Sequence, residues 1–453
     1  MRKLVLFLCT LTVAGFLPLK AQKLWSLQEC ISYALENNLQ VKRQELNVKY
    51  NKNNFNQSYY STLPNLNAQY NHSFSSGQTF DYFATEYKDQ NFWQGSGGIS
   101  SNITLFGGFQ TINNIMKSKY DFLKSQSDLE KSKNDISLQL ALAYLQVLFS
   151  KELVDVAQSK LDVTSLQVER TRKMMEVGNV AQGEYLQIKA QESNDKTSFI
   201  NAQNNLQIAY LDLTQLLDLD SVGGFDIVIP QNIEVELLSP LETVRDIYAQ
   251  ALQTMPEIKS AEYGLKSSEK QLAMAWGQAS PTVNLNGNLG TFYSQIAVDP
   301  LNPPTTENPN PDYAVKDQFK DYYNKQVGIG VSIPLFNRLQ VKTSISNAKL
   351  QLNDTKLQLD LAQMALYKEV QQAHADALAA REKFYSSVEA VKYNEEAFKY
   401  TSQKLEVGLV NSVDYNIAQN NLISAKSSML QAKYEYIFKL KILDLYMDKP
   451  IVL

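Results

Sequence analysis

The chain has 453 residues, 44% of them apolar and 20% charged, enough hydrophobic material for a large folded body and too much for a disordered one. Its net charge of −4, from 43 basic and 47 acidic residues without long single-sign runs, argues against a nucleic-acid binder. Two cysteines and two histidines exclude a disulfide scaffold and leave almost nothing with which to build a zinc, iron–sulfur or histidine acid–base centre.

Arg2 and Lys3 precede an apolar run from Leu4 to Leu17, and Ala21 follows as a small residue suited to cleavage. Residues 1–21 therefore read as an export signal, too short for a bilayer span of about 20 apolar residues. Cys9 lies inside that run, so the mature chain keeps one thiol, Cys30, expected as a small buried residue of the first helix. Pro64 marks where helix gives way to strand. Strands are expected over 65–75 and 97–106, where Leu66, Ala68, Tyr70 and Phe74 alternate with Asn67, Gln69, Asn71 and Ser73. Between them, 76–96 carries Phe80, Tyr82, Phe83, Tyr87, Phe92 and Trp93 and reads as an outward-facing hairpin connection with interface anchors. Leu105-Phe106 then leads into a stretch from Phe109 to Val177 without Gly or Pro. A helix over 109–177 would be about 100 Å long at the α-helical rise per residue. Along it Leu138, Leu142, Leu145, Phe149, Leu153 and Val156 step by three or four, the spacing of a coiled-coil face. Gly178 can take the left-handed conformation that ends a helix, and a return helix is expected over 180–217. Residues 218–242, with Gly223-Gly224, Pro230 and Pro240, read as a linker.

The pattern then repeats. Gly98, Ile99, Ile103, Leu105 and Phe106 recur as Gly328, Ile329, Ile333, Leu335 and Phe336, an offset of 230 residues that also carries Val177-Gly178 onto Val407-Gly408. Before the strands the offset is 217, which places Pro64 on Pro281 and Ala34-Leu35 on Ala251-Leu252. The extra residues fall in the segment 294–325, where Pro300, Pro303, Pro304, Pro309 and Pro311 suggest a second, partly extended external loop. The first repeat thus spans 22–217 and the second 243–453, with strands over 282–292 and 326–335, a long helix over 337–407 and a return helix over 409–447. In the second long helix Ala373, Ala377, Ala380, Phe384, Val388 and Val391 form the apolar face. The fold class expected is α+β, a tandem repeat in which each half has two long antiparallel coiled-coil helices and two strands. The alternating strands fit a membrane barrel, apolar toward lipid and Asn-rich toward a wet lumen. Four strands cannot close a barrel, and lipid does not tolerate open edges, so several chains must share one.

In this arrangement the chain resembles the TolC-like outer-membrane efflux channel family. The likeness is carried by Leu105-Phe106-Gly107-Gly108 and Leu335-Phe336 at the strand-to-helix junctions, by Val177-Gly178-Asn179-Val180 and Val407-Gly408-Leu409-Val410 at the hairpin tips, and by Pro64 and Pro281. The resemblance implies a homotrimer with a 12-stranded barrel continuous with an α-helical periplasmic tunnel. It implies two kinds of partner, a periplasmic adaptor protein and an inner-membrane pump of the RND or ABC type. It also implies a passive duct for efflux or type I secretion, with no catalytic residue and no cofactor. Each tip carries a carboxylate six residues past its glycine, Glu184 after Gly178 and Asp414 after Gly408. In a trimer these would make a cation-favouring ring at the entrance, or they stabilise helix starts through the backbone dipole. The basic and aromatic gate partners of the family's second tip are replaced by Leu405 and Val410. His72, near a strand end, and His374, within the long helix, stand apart in sequence, and no metal site is expected. Two other classes share some of these features. An exported structural or adhesive rod would use the same helices but leaves four membrane-length alternating segments unexplained. A periplasmic enzyme would need a nucleophile, metal or phosphate-binding motif, none of which is recognisable.

Overall fold

A computed structural model describes residues 24–81, 85–219, 224–230, 241–305, 307–308 and 311–452. The export signal expected over 1–21 lies outside the described residues, as do Tyr82, Phe83, Gly223, Pro240 and Pro309. The described chain runs β1 (Leu24–Trp25), α1 (Leu27–Asn37), α2 (Leu39–Tyr60), β2 (Asn67–Asp81), β3 (Glu86–Gly107), α3 (Gln110–Glu176) and α4 (Gln182–Leu216). It continues as β4 (Asp226–Ile227), α5 (Val244–Thr254), α6 (Pro256–Gly277), β5 (Thr282–Ser294), α7 (Val315–Asp321), β6 (Asn324–Ser332), α8 (Gln340–Glu406) and α9 (Ser412–Tyr446). The ends of α8 and α9 fall 230 residues after those of α3 and α4, and the ends of α5 and α6 fall 217 after those of α1 and α2.

The chain divides into two compact units. The first gathers the segments up to Asn47, from Gln126 to Ser260, and from Asp360 onward. Its core packs Cys30, Ala34 and Val41 of α1 and α2 against Ile136, Leu140, Tyr144 and Leu148 of α3. A second cluster sets Ile247, Ala251 and Ile258 against Leu366 and Val370, the residues at the repeat offsets from Cys30, Ala34, Val41, Ile136 and Leu140. Burial, with the nearby Glu29 carboxylate, pushes the Cys30 thiol up to about 12, so it serves as a small apolar residue. Ser26 starts α1 with a reciprocal cap: its hydroxyl accepts from the Glu29 amide and its amide donates to the Glu29 carboxylate at 2.9 Å.

Each expected first helix is two. Asn38 leaves the helical conformation between α1 and α2, and its side-chain amide donates to the Leu216 carbonyl at 3.0 Å. Met255 does the same between α5 and α6, forced out of the helical region by the ring of Pro256, which starts α6. Linker residues also gain structure: β4 pairs in parallel with β1, Leu24 opposite Asp226 and Trp25 opposite Ile227. The buried Tyr144 hydroxyl holds that pair by donating to the Val228 carbonyl at 2.6 Å, with the Trp25 carbonyl at 3.2 Å. Asp226 accepts from Tyr210 and Lys151 at 2.5 and 2.8 Å. Burial opposes ionisation of Asp226, but those two bonds outweigh it and hold the carboxyl below its usual value.

The apolar face expected on the first long helix holds in part: Leu138, Phe149, Leu153 and Val156 are half-buried. Leu145 is buried, but Leu142 is exposed, and the buried side is Ile136, Leu140, Ala141, Tyr144 and Leu148. On α8 the expected face holds at Ala373, Ala377, Ala380, Phe384 and Val391, while Val388 is exposed.

The second unit, from Val48 to Ser125 and Ala261 to Leu359, contains one antiparallel sheet in the order β2-β3-β5-β6. Register runs from Asn67 opposite Ser100 to Asp81 opposite Glu86, so most of 76–96 is strand rather than loop. β3 also pairs with β5, with a bulge between Thr104 and Phe106. β6 ends at Ser332, short of the expected 335, where Pro334 cannot donate to a ladder. The proline-rich segment is only partly extended, since it contains α7.

Candidate functional site

The two hairpin tips are built alike, and the reason lies in their glycines. Gly178 and Gly408 have φ of +81° and +76°, a region costly for any residue with a Cβ. That reversal lets the Gly178 amide donate to the Met175 carbonyl and the Asn179 amide to the Met174 carbonyl, both at 2.9 Å. Gly408 and Leu409 repeat the pattern onto Leu405 and Lys404 at 3.1 and 2.9 Å. Crossed bonds of this kind satisfy the carbonyls that a helix end leaves orphaned.

The return helices start differently. Asn411 caps α9, its side-chain oxygen accepting from the Val413 and Asp414 amides at 2.9 and 3.0 Å. Ala181 begins α4 with no side-chain cap. Glu184 and Asp414 nevertheless occupy the same position, third in the helix, where a carboxylate meets the positive end of the dipole. The structure brings Glu184 to the other tip: the buried Ser412 hydroxyl donates to its carboxylate at 2.6 Å. Asp414 has no such contact among the described residues. Val177, Val407 and Leu409 stand 70–75% exposed at the tips, an apolar cap on otherwise polar helices.

Below the first tip lies a polar contact with no sequence signal. Asp195 of α4 is 1% exposed and accepts from Thr164 at 2.7 Å, Gln191 at 2.8 Å and Lys160 at 2.9 Å. An Asp at one helical position reads as surface until its partners on the neighbouring helix are known.

The other expected residues lie in the second unit and do not join the tips. Phe106 packs edge-on to Phe109 with ring centres 5.6 Å apart, while Leu105, Leu335 and Phe336 are exposed. Gly108 has φ of +62°, and a Cβ there would meet the Ser280 side chain at 2.7 Å, so only glycine lets the α6 end approach the β3–α3 junction. Pro64 and Pro281 stand between helix and strand, after α2 and after α6. Among the described residues no group of three or more His, Cys, Asp or Glu side chains could hold a metal ion. No helix among them is long and apolar enough to cross a membrane.

Comparison with known proteins gives one consistent family. The model described as "Outer membrane efflux protein" matches residues 30–218 and 247–445. Outer membrane efflux protein BepC of Brucella suis is 22% identical over 411 residues, covering 89% of this chain and 81% of the relative. Outer membrane protein TolC of Escherichia coli is 21% identical over 450 residues, covering 96% and 84%. The solved CmeC outer membrane channel of Campylobacter jejuni shares the fold, with a TM-score of 0.76 at 15% identity over 96% of this chain and 90% of that one.

Proposed function

Because the chain belongs to the outer membrane efflux protein family and is an outer-membrane protein, we propose that three copies share one barrel and form the passive exit duct of a tripartite efflux or secretion assembly. The observation that carries this reading is the sheet β2-β3-β5-β6. Among the described residues its outer strands β2 and β6 have no partner on their far edges. Its apolar face is open as well, with Val327 80% exposed beside Ile329 and Val331. A lone sheet of this kind is costly twice over, for its apolar face in water and its unpaired edges in lipid. Pairing β6 with β2 of the next copy removes the edges, and hydrocarbon then covers the face. Three chains would supply twelve strands, within the range of outer-membrane barrels. The opposite face carries Asn284, Asn286 and Asn288, with Thr104 donating to the Asn284 side chain at 2.9 Å, and suits a wet lumen. The number three rests on the family resemblance, and the matching offsets support an internal duplication.

The tips would then be the periplasmic entrance. Glu184 and Asp414 of three copies would place six carboxylates there, favouring cations. The exposed Val177, Val407 and Leu409 would give a periplasmic adaptor an apolar surface, with an inner-membrane pump supplying the energy and choosing the cargo. Gly178 and Gly408 set the turns, while the junction residues Leu105, Phe106, Leu335 and Phe336 and the prolines 64 and 281 would lead barrel into tunnel.

Detergent-extracted protein should have the mass of three copies by light scattering and open conducting channels in planar bilayers. Glu184→Ala with Asp414→Ala should lower the cation-over-anion permeability ratio while the trimer persists. Monomeric, non-conducting protein would overturn the duct. A conducting trimer with unchanged selectivity would remove the ring and leave the two acids as stabilisers of helix starts.

A further inference from the structure

At the end of the sheet away from the helices, one face carries a cluster of rings. In register, His72 lies opposite Gly95, Gly95 opposite Tyr293, and Phe74 opposite Trp93, so His72, Trp93 and Tyr293 share the face that holds Ile99 and Ile329. The His72 and Trp93 rings stack at 4.9 Å and 5°. Tyr293 reaches across the bare Gly95 to bring its hydroxyl within 2.7 Å of His72 Nδ1. A Cβ at Gly95 would collide with the Tyr293 ring and sit 3.0 Å from the Tyr70 hydroxyl.

Over these rings the stretch from Pro311 into α7 forms a hydrogen-bonded roof. Thr291 donates to the Phe319 carbonyl at 2.7 Å, and the Ser294 amide to the Gln318 side chain at 2.8 Å. Gln318, 2% exposed, donates in turn to the Tyr313 carbonyl at 2.8 Å, and the Tyr313 hydroxyl donates to Asp321 at 3.0 Å. Floor and roof line a half-open cavity of about 620 Å³, with Pro311 and the exposed Asp312 in its wall. An aromatic belt at a membrane interface accounts for Trp93 and Tyr293. It does not account for a hydrogen-bonded roof, or for a glycine that clears the floor.

We propose that this pocket binds a sugar ring, between the roof of α7 and the floor of His72, Trp93 and Tyr293. Among the described residues the lining contains no Lys or Arg, so a phosphate or carboxylate would find no counter-charge, and Asp312 would repel it. An alkyl chain would offer nothing to the Asp312 carboxylate or to the outward-facing polar atoms of the floor. A neutral polyhydroxyl ring satisfies both halves of the lining, its C–H face against aromatic carbon and its hydroxyls against Asp312 and the polar ring atoms. The sugar could arrive free or as the headgroup of an outer-leaflet glycolipid. Only the second source depends on the barrel reading above, since it requires this face to meet lipid.

The full chain with Trp25→Phe and Trp276→Phe retains Trp93 as its one tryptophan, so its emission reports on the pocket. One arm titrates the soluble, dephosphorylated core oligosaccharide of lipopolysaccharide. The other compares nanodiscs of phosphatidylglycerol with and without intact lipopolysaccharide. A saturable emission change is expected, weakened about tenfold by Asp312→Ala, which removes a charged hydrogen-bond partner from an exposed rim, and at least as much by Gly95→Ala. A response to the oligosaccharide assigns a free sugar, and a response only to the loaded nanodiscs assigns the headgroup. No saturable change in either arm, or one that neither variant weakens, overturns the proposal. Its failure would leave channel conductance intact, whereas a failed barrel would still leave the soluble arm readable.

Discussion

The two helical hairpins have the same backbone plan and different interiors. α3 and α8 are each 67 residues long, α4 and α9 each 35, and both tips close with the same glycine turn. Inside the first hairpin, Asp195 is buried against Lys160, Thr164 and Gln191. At the repeat offset the second hairpin has Ala390, Asn394 and Ala425 in place of Lys160, Thr164 and Asp195, and Asn394 turns its amide to the Ala390 carbonyl of its own helix at 2.8 Å. The second hairpin instead packs Ala380, Phe384, Ala432 and Tyr436 together, and its helices are also joined by the more exposed ion pairs Lys383–Glu435 at 2.7 Å and Lys426–Glu395 at 2.9 Å. The contrast teaches that hairpin length and turn are set by glycine placement and the absence of breakers, whereas register is set locally by whatever the seam holds. A buried polar contact admits one register; a seam of small apolar residues admits close approach with less selectivity.

The sharpest way to break this comparison is to remove the polar contact. Asp195→Leu would leave the Lys160 ammonium, 14% exposed, without its carboxylate, which should cost about 3 kcal/mol or more. Thermal melting of the extracted protein should show the loss, and Lys160→Met together with Asp195→Leu should recover most of it. If the single substitution costs no more than an ordinary surface change, the two seams are energetically alike and the contrast fails.

A smaller effect tests what the hairpins share. No atom lies within 4 Å of a Cβ built on Gly178 or on Gly408, so Gly178→Ala and Gly408→Ala would meet no clash. Each should still lower stability by about 1–2 kcal/mol, because alanine is strained at positive φ. Melting temperatures should fall equally, and Asn at either position should recover part of the loss. Unequal losses would mean that the tips, not only the seams, differ.

These residues also show where sequence reasoning reaches and where it stops. Gly178 and Gly408 were legible because a helix end at positive φ needs glycine whatever surrounds it. The alternation of Leu66 to Phe74 was legible for a similar reason, since successive residues of a strand point to opposite faces whatever surrounds them. That alternation fades over 76–96, so the strand continued without a signal. The α1–α2 break had only Asn38 to mark it, and the two-residue strand β4 is too short to show any period. The Ser412–Glu184 bond and the Asp195 contact each join residues from different helices. Spacing along one helix cannot reveal them. The same limit explains the exposed Leu142 of α3: it fits the heptad count, but Tyr144, two residues on, is the one buried under β1 and β4.

The smallest expected difference lies in the last turns of the two long helices. Near the first tip Arg172 donates to Glu169 at 2.7 and 3.1 Å and to Glu176 at 3.2 Å. At the repeat offset Lys399 and Ser402 stand for Glu169 and Arg172, so the second tip lacks this triad. The hydrogen bond from Arg172, then its charge, hold the Glu169 carboxyl below its usual value. A carboxylate depressed in the folded state stabilises it above the unfolded pKa of about 4.3, and that contribution is lost as pH falls through the folded value. Acidification from pH 6 toward 3 should therefore lower the protection of amides against hydrogen exchange, measured relative to their intrinsic rates at each pH, more near Met174 and Met175 than near Lys404 and Leu405. The groups are exposed, so the margin is slight, and it should vanish in about 1 M salt, where the screening length is about 3 Å. Arg172→Ala should abolish it at low salt as well. An equal fall in protection at both tips would show that the triad is energetically silent.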